Sequence, residues 1–109
     1  MRPVSRRARF RMLPKADGVR DVRAAFEGLA KTLQPADILF VMLIGHGSFD
    51  GRQAAFNLPG PDLTAEDYAK LLEKFATQRV VFVNTASSSG GFVAALSRKD
   101  RTVIVATKT

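Results

Sequence analysis

The spacing of apolar residues changes period along the chain, and each period predicts an element. "ARFRML", Ala8 to Leu13, alternates Ala8, Phe10 and Met12 with arginines, which predicts a short strand with one buried and one charged face. After a turn at Pro14 to Gly18, apolar residues step by three and four through Val19, Val22, Phe26, Leu29, Ala30 and Leu33, the stripe of an amphipathic helix. Asp17 is placed to cap that helix. Pro35 should stop it near Gln34, because proline disfavours helical geometry in the residue before it.

"ILFVMLI", Ile38 to Ile44, has no alternation and predicts a strand covered on both faces of a parallel sheet. It ends at Gly45-His46-Gly47. "SFDGRQAAFNLPGP" follows, with a hairpin turn at Asp50-Gly51 and a loop from Asn57 to Pro61. Thr64 then caps a helix whose apolar face is Tyr68, Leu71, Leu72 and Phe75, with Leu63 placed to staple onto Tyr68. "RVVFVN" is a second buried strand, Gly90 to Ser97 a short helix using Phe92, Val93 and Leu96, and "TVIVAT" a last strand. Strands and helices in this alternation predict an α/β fold: a three-layer, mainly parallel sheet of about four strands flanked by helices, with a small hairpin after the second strand. Phe10, Phe26, Phe40, Phe75, Phe82 and Phe92 fall on apolar faces and are expected in the core rather than on a platform for stacking bases.

Composition narrows the picture. Apolar residues at 46% and charged residues at 25% describe a globular domain, and 109 residues suffice for one core but not two. There is no cysteine, which excludes disulfides, thiolate metal sites and a thiol nucleophile. One histidine among scattered carboxylates gives no metal-ligand spacing, and no cofactor is expected. The longest apolar run falls far short of the roughly 20 residues that span a bilayer. The net charge of +7 suggests a polyanion partner, but Arg2, Arg6, Arg7, Arg9, Arg11 and Lys15 all precede the first acid and supply most of it. Residues 1–15 therefore read as a basic arm carrying the short strand, and residues 16–109 as the α/β domain. "SRRARF" lacks the apolar stretch an export signal needs, so a cytoplasmic location is the default expectation.

Two loops carry candidate chemistry, because each follows the C-terminal end of a buried strand, where open α/β sheets place ligands. His46 lies between two glycines in one; Ser87, Ser88 and Ser89 lead into the last helix in the other, whose free N–H groups favour an oxyanion. The bland alternative is that the serines only cap that helix. Asp50 and Asp62, in nearby loops, are expected to be solvated.

"ILFVMLIGHGSFDG" followed by a helix and then "VVFVNTASSSGG" resembles the caspase fold, and most closely its legumain-type peptidase branch, over Gly18 to Lys108. That branch reads strand, His-Gly, helix, strand, then Ala-Cys-x-Ser-Gly. Here 41 residues separate His46 from Ser87, against roughly 50 in caspases. The resemblance implies that His46 is the catalytic-type histidine, that the Gly47 amide is an oxyanion donor and that Ser87 occupies the nucleophile's position in place of cysteine. An alcohol needs an adjacent base where a thiol is already partly ionised and nucleophilic, so impaired hydrolysis is the expectation. The implied partner is a peptide or protein, not nucleic acid. An active serine-type hydrolase using Ser87 and His46, and an anion- or nucleic-acid-binding module using the serine loop and the arginine arm, are the competing readings. The family also places a further strand before the region that matches "ARFRML" and more chain after "VIVATKT". Either this chain is a fragment, or its first strand pairs directly with Ile38 to Ile44.

Overall fold

The computed structural model describes residues 18–58, 62–87 and 89–107, so the strand expected at Ala8 to Leu13 and the cap expected at Asp17 lie outside the described residues. Helix α1 (Val19–Thr32) leads into strand β1 (Ile38–Leu43). A small antiparallel unit follows, made of β2 (Gly47–Phe49), β3 (Ala54–Phe56) and β4 (Leu63–Thr64). Helix α2 (Ala65–Leu72) runs into a 3-10 turn, Glu73–Phe75, and the chain continues through β5 (Arg79–Asn84), α3 (Gly91–Leu96) and β6 (Arg101–Val105). Strands β1, β5 and β6 form a parallel sheet in that order. The expected class, a mixed α/β domain with a parallel sheet and flanking helices, is the one observed.

Local chemistry explains several boundaries. Thr64 accepts a hydrogen bond from the Asp67 N–H at 3.2 Å while Asp67 accepts from the Thr64 N–H at 2.9 Å, a reciprocal capping box that starts α2. Leu63 and Tyr68 are both buried beside it, as the staple requires. Helix α1 has Gly18 as its N-cap, with no side-chain cap bond, and ends at Thr32, two residues before the expected stop. The insertion after β1 is more than a hairpin, because β4 adds a third strand to β2 and β3.

One core sits between the sheet and its helices. Val22 and Phe26 of α1, Tyr68, Leu71 and Leu72 of α2, and Phe92 and Leu96 of α3 bury against Leu39, Val80 and Phe82. Tyr68 is its hub, edge-on to Phe82 at 5.4 Å and to Phe26 at 6.3 Å between ring centroids. Each fully buried aromatic of this kind contributes roughly 1.5–3 kcal/mol. Among the described residues the Tyr68 hydroxyl has no hydrogen-bond partner, and burial pushes its pKa well above the ordinary tyrosine value.

The expectation that Ile38 to Ile44 is covered on both faces is corrected. Ile38, Phe40, Met42 and Ile44 are exposed, Phe40 by 58% and Ile44 by 75%, and Ile104 of β6 is exposed with them. Phe40 is therefore outside the core in which Phe26, Phe75, Phe82 and Phe92 are found, and Phe10 is outside the described residues. The reason is topological. Both crossovers, β1 to β5 and β5 to β6, step in the same direction across the sheet, and right-handed crossovers taken in one direction put their helices on one face.

Candidate functional site

Register decides which loops meet. β1 and β5 pair so that Leu43 lies opposite Asn84, and both strands point the same way, so the segments after them leave the sheet side by side. The Leu43 carbonyl accepts both the Thr85 N–H at 3.0 Å and the Thr85 hydroxyl at 2.8 Å, which ties the start of the serine loop to the end of β1. One residue later the Asn84 side-chain oxygen accepts the Ala86 N–H at 3.0 Å and turns the chain toward Ser87.

From the other side, β2 and β3 clamp the histidine loop. The His46 carbonyl accepts the Asn57 N–H at 2.8 Å, and Gly47 lies opposite Phe56 in the ladder. Gly47 is where the two loops touch. A Cβ there would collide with the Ser87 carbonyl oxygen and would stand 3.2 Å from both the Ala55 carbonyl oxygen and the Ala86 methyl. Glycine at this position is thus a packing requirement, and it brings the His46-Gly47 backbone against that of Ser87.

Both candidate side chains are solvent-accessible: His46 and Ser87 are exposed, at the C-terminal edge of the parallel sheet. Among the described residues, no side chain hydrogen-bonds to the His46 imidazole, and no hydrogen bond joins it to the Ser87 hydroxyl. Ser88 lies outside the described residues. Ser89 is buried; its N–H donates to the Thr107 hydroxyl at 3.3 Å and its own hydroxyl accepts the Thr107 N–H at 3.4 Å, joining the serine loop to the chain after β6. The capping reading of the serines does not hold for the described pair, because α3 is capped at Gly90 without any side-chain bond. Asp50 is solvated as expected, while its carboxylate accepts the N–H groups of Gln53 at 2.8 Å and Arg52 at 2.9 Å and closes the hairpin; those bonds hold its pKa below the ordinary aspartate value. Asp62 accepts the Leu58 N–H at 3.0 Å.

Two residues that organise the site were not singled out from the sequence. Asn84 is almost fully buried, with its Oδ1 holding the Ser87 turn and its Nδ2 without a partner among the described residues, and Thr85 is the bridge between loops. The signal is the polar pair Asn84-Thr85 that follows the apolar run Val80 to Val83. No group of three or more possible metal ligands occurs among the described residues, and none of their helices is long and apolar enough to cross a membrane.

Residues 20–109 match the model of the Peptidase C13 family. No curated protein and no solved structure matches the chain.

Proposed function

Because the chain belongs to the Peptidase C13 family, we propose that it is a legumain-like domain in which Ser87 stands in the nucleophile's position, His46 is the catalytic-type histidine and the Gly47 amide is an oxyanion donor. In this reading peptide hydrolysis is impaired and the site binds a peptide or protein segment. The observation that supports it is the close approach of Gly47 to the Ser87 backbone, with the histidine and serine loops leaving paired parallel strands at the same end of the sheet. The impairment follows from chemistry. A serine hydroxyl becomes a nucleophile only when a base removes its proton, and that base is held in place by a third group. Neither bond is present among the described residues.

The test compares the unaltered chain with Ser87→Cys against a panel of short peptides. No turnover by the unaltered chain is expected, with weak, His46-dependent turnover by the thiol variant. Clear hydrolysis by the unaltered chain that Ser87→Ala abolishes overturns the impaired reading in favour of a serine hydrolase.

A further inference from the structure

In the small antiparallel sheet, ordered β2-β3-β4, strand β2 is an edge among the described residues. Residues that face each other across an antiparallel ladder alternate between pairs that exchange main-chain hydrogen bonds and pairs that do not. Two bonds flanking β2 fix the phase: the His46 carbonyl accepts the Asn57 N–H at 2.8 Å, and the Asp50 N–H donates to the Gln53 carbonyl at 3.3 Å. His46, Ser48 and Asp50 therefore turn their main-chain groups toward β3. Those of Gly47 and Phe49 face outward, and among the described residues nothing pairs with them. An edge of open donors and acceptors is a template for another strand.

This edge begins at the candidate site. A Cβ on Gly47 would strike the Ser87 carbonyl oxygen, so Gly47 meets the serine loop across one face of β2. Alternate residues of a strand share a face, which puts the Phe49 side chain on that same side. Phe49 is 54% exposed, a large apolar group left open between exposed Ser48 and Asp50. No lysine or proline in β2 blunts the edge.

We propose, building on the peptide-binding reading of the His46 and Ser87 loops, that the site takes its ligand as an added β-strand. An extended segment pairs with the outward main-chain groups of Gly47 and Phe49 and sets a bulky apolar side chain against the Phe49 ring. The N–H and carbonyl of each residue allow several main-chain bonds that form whatever the ligand's sequence. The Gly47 N–H keeps its role in this arrangement, because the ligand carbonyl it binds is the one nearest Ser87. Selectivity comes from the side chains. Residues two apart on the added strand share a face about 7 Å apart, so the apolar residue packed on Phe49 lies two positions from the one that meets Gly47. The ligand class is a flexible chain that can straighten and carries an aromatic or branched apolar residue at that offset.

Phe49→Pro is the selective probe. Proline deletes one outward N–H while the β2-β3 bonds run through His46, Ser48 and Asp50, so the small sheet is retained. Phe49→Ala removes the ring and keeps the N–H. A capped Thr-Thr-Phe-Thr-Thr peptide is titrated into the full chain and followed by NMR and amide exchange. Bound peptide should slow Phe49 N–H exchange by about tenfold and leave the Ser48 N–H, already turned to β3, nearly unchanged. Phe49→Pro should bind about tenfold more weakly than Phe49→Ala, because a ligand carbonyl is left unpaired. Alternately N-methylated peptides give the same test with no change to the chain: one alternate set should lose binding and the other keep it. Equal weakening at every methylated position overturns strand addition. So does unchanged Phe49 exchange in a millimolar excess of peptide; Ser87 and His46 shifts in that case leave the peptide-binding reading standing. Slowed Phe49 exchange with His46 and Ser87 untouched supports the added strand and overturns that reading instead.

Discussion

Replacing Gly47 by alanine is the sharpest stability probe of the loop junction. The added methyl would collide with the Ser87 carbonyl oxygen and press on the Ala55 carbonyl and the Ala86 methyl, both at 3.2 Å. None of the three is the far end of a flexible side chain. Ala55 is fixed in the β2-β3-β4 ladder, and Ala86 is fixed by its bond to Asn84. Overpacking against partners that cannot swing aside costs about 1–3 kcal/mol. Gly47 is not in the left-handed region, so alanine returns about 0.4–1 kcal/mol by restricting the unfolded chain. The net expectation is a loss of about 1–2 kcal/mol, or roughly 4–10 °C in Tm for a domain of this size.

Gly28→Ala is the matched control. Gly28 sits inside α1, exposed, with nothing within 4 Å of an added methyl. Alanine there should gain about 0.5–1 kcal/mol. Urea unfolding of the two variants and the parent, with unchanged m-values, separates the effects. A Gly47→Ala protein as stable as the parent, alongside a stabilised Gly28→Ala, would refute the claim that the histidine and serine loops pack backbone to backbone.

Three further outcomes follow from the same structure. Tyr68→Phe removes a buried hydroxyl that has no partner among the described residues, so stability should be unchanged or rise by up to about 1 kcal/mol; a loss greater than that in urea unfolding would contradict the unpartnered hydroxyl. Thr64→Ala breaks the reciprocal cap of α2 and should cost about 0.5–2 kcal/mol, whereas Thr64→Ser should retain most of it; equal stability of both variants would contradict the cap. The Asp50 carboxylate is stabilised by the Gln53 and Arg52 N–H groups, so its folded pKa lies below its unfolded one; the stability it lends the hairpin is present above the unfolded value and lost as pH falls through the folded one. An NMR titration that places Asp50 at or above the ordinary aspartate value would refute that.

Local signals were legible where one interaction decides the structure. The cap at Thr64, the staple from Leu63 and the apolar face of Tyr68, Leu71, Leu72 and Phe75 all appear as written in the sequence. Strand tips were legible too, because Gly45-His46-Gly47 and the serine run interrupt apolar segments that cannot continue through them. Coverage of β1 was not. "ILFVMLI" is apolar at every position, and hydropathy alone cannot tell a face buried by helices from one left open by the hand of the crossovers. The inner workings of the serine loop were also hidden: Asn84 turns the chain through its local bond to Ala86, and Ser89 acts through Thr107, a distant residue that the pairing of β5 with β6 brings alongside.

The chain's single histidine makes the central claim directly measurable, since its imidazole resonances need no assignment by mutation. Short peptides added to the unaltered chain and followed over hours by NMR should shift His46 together with the Gly47 and Ser87 amides, while the peptide stays intact. Peptide-induced shifts that leave both loops untouched, or product signals that vanish in Ser87→Ala, would contradict a shared, catalytically impaired peptide site.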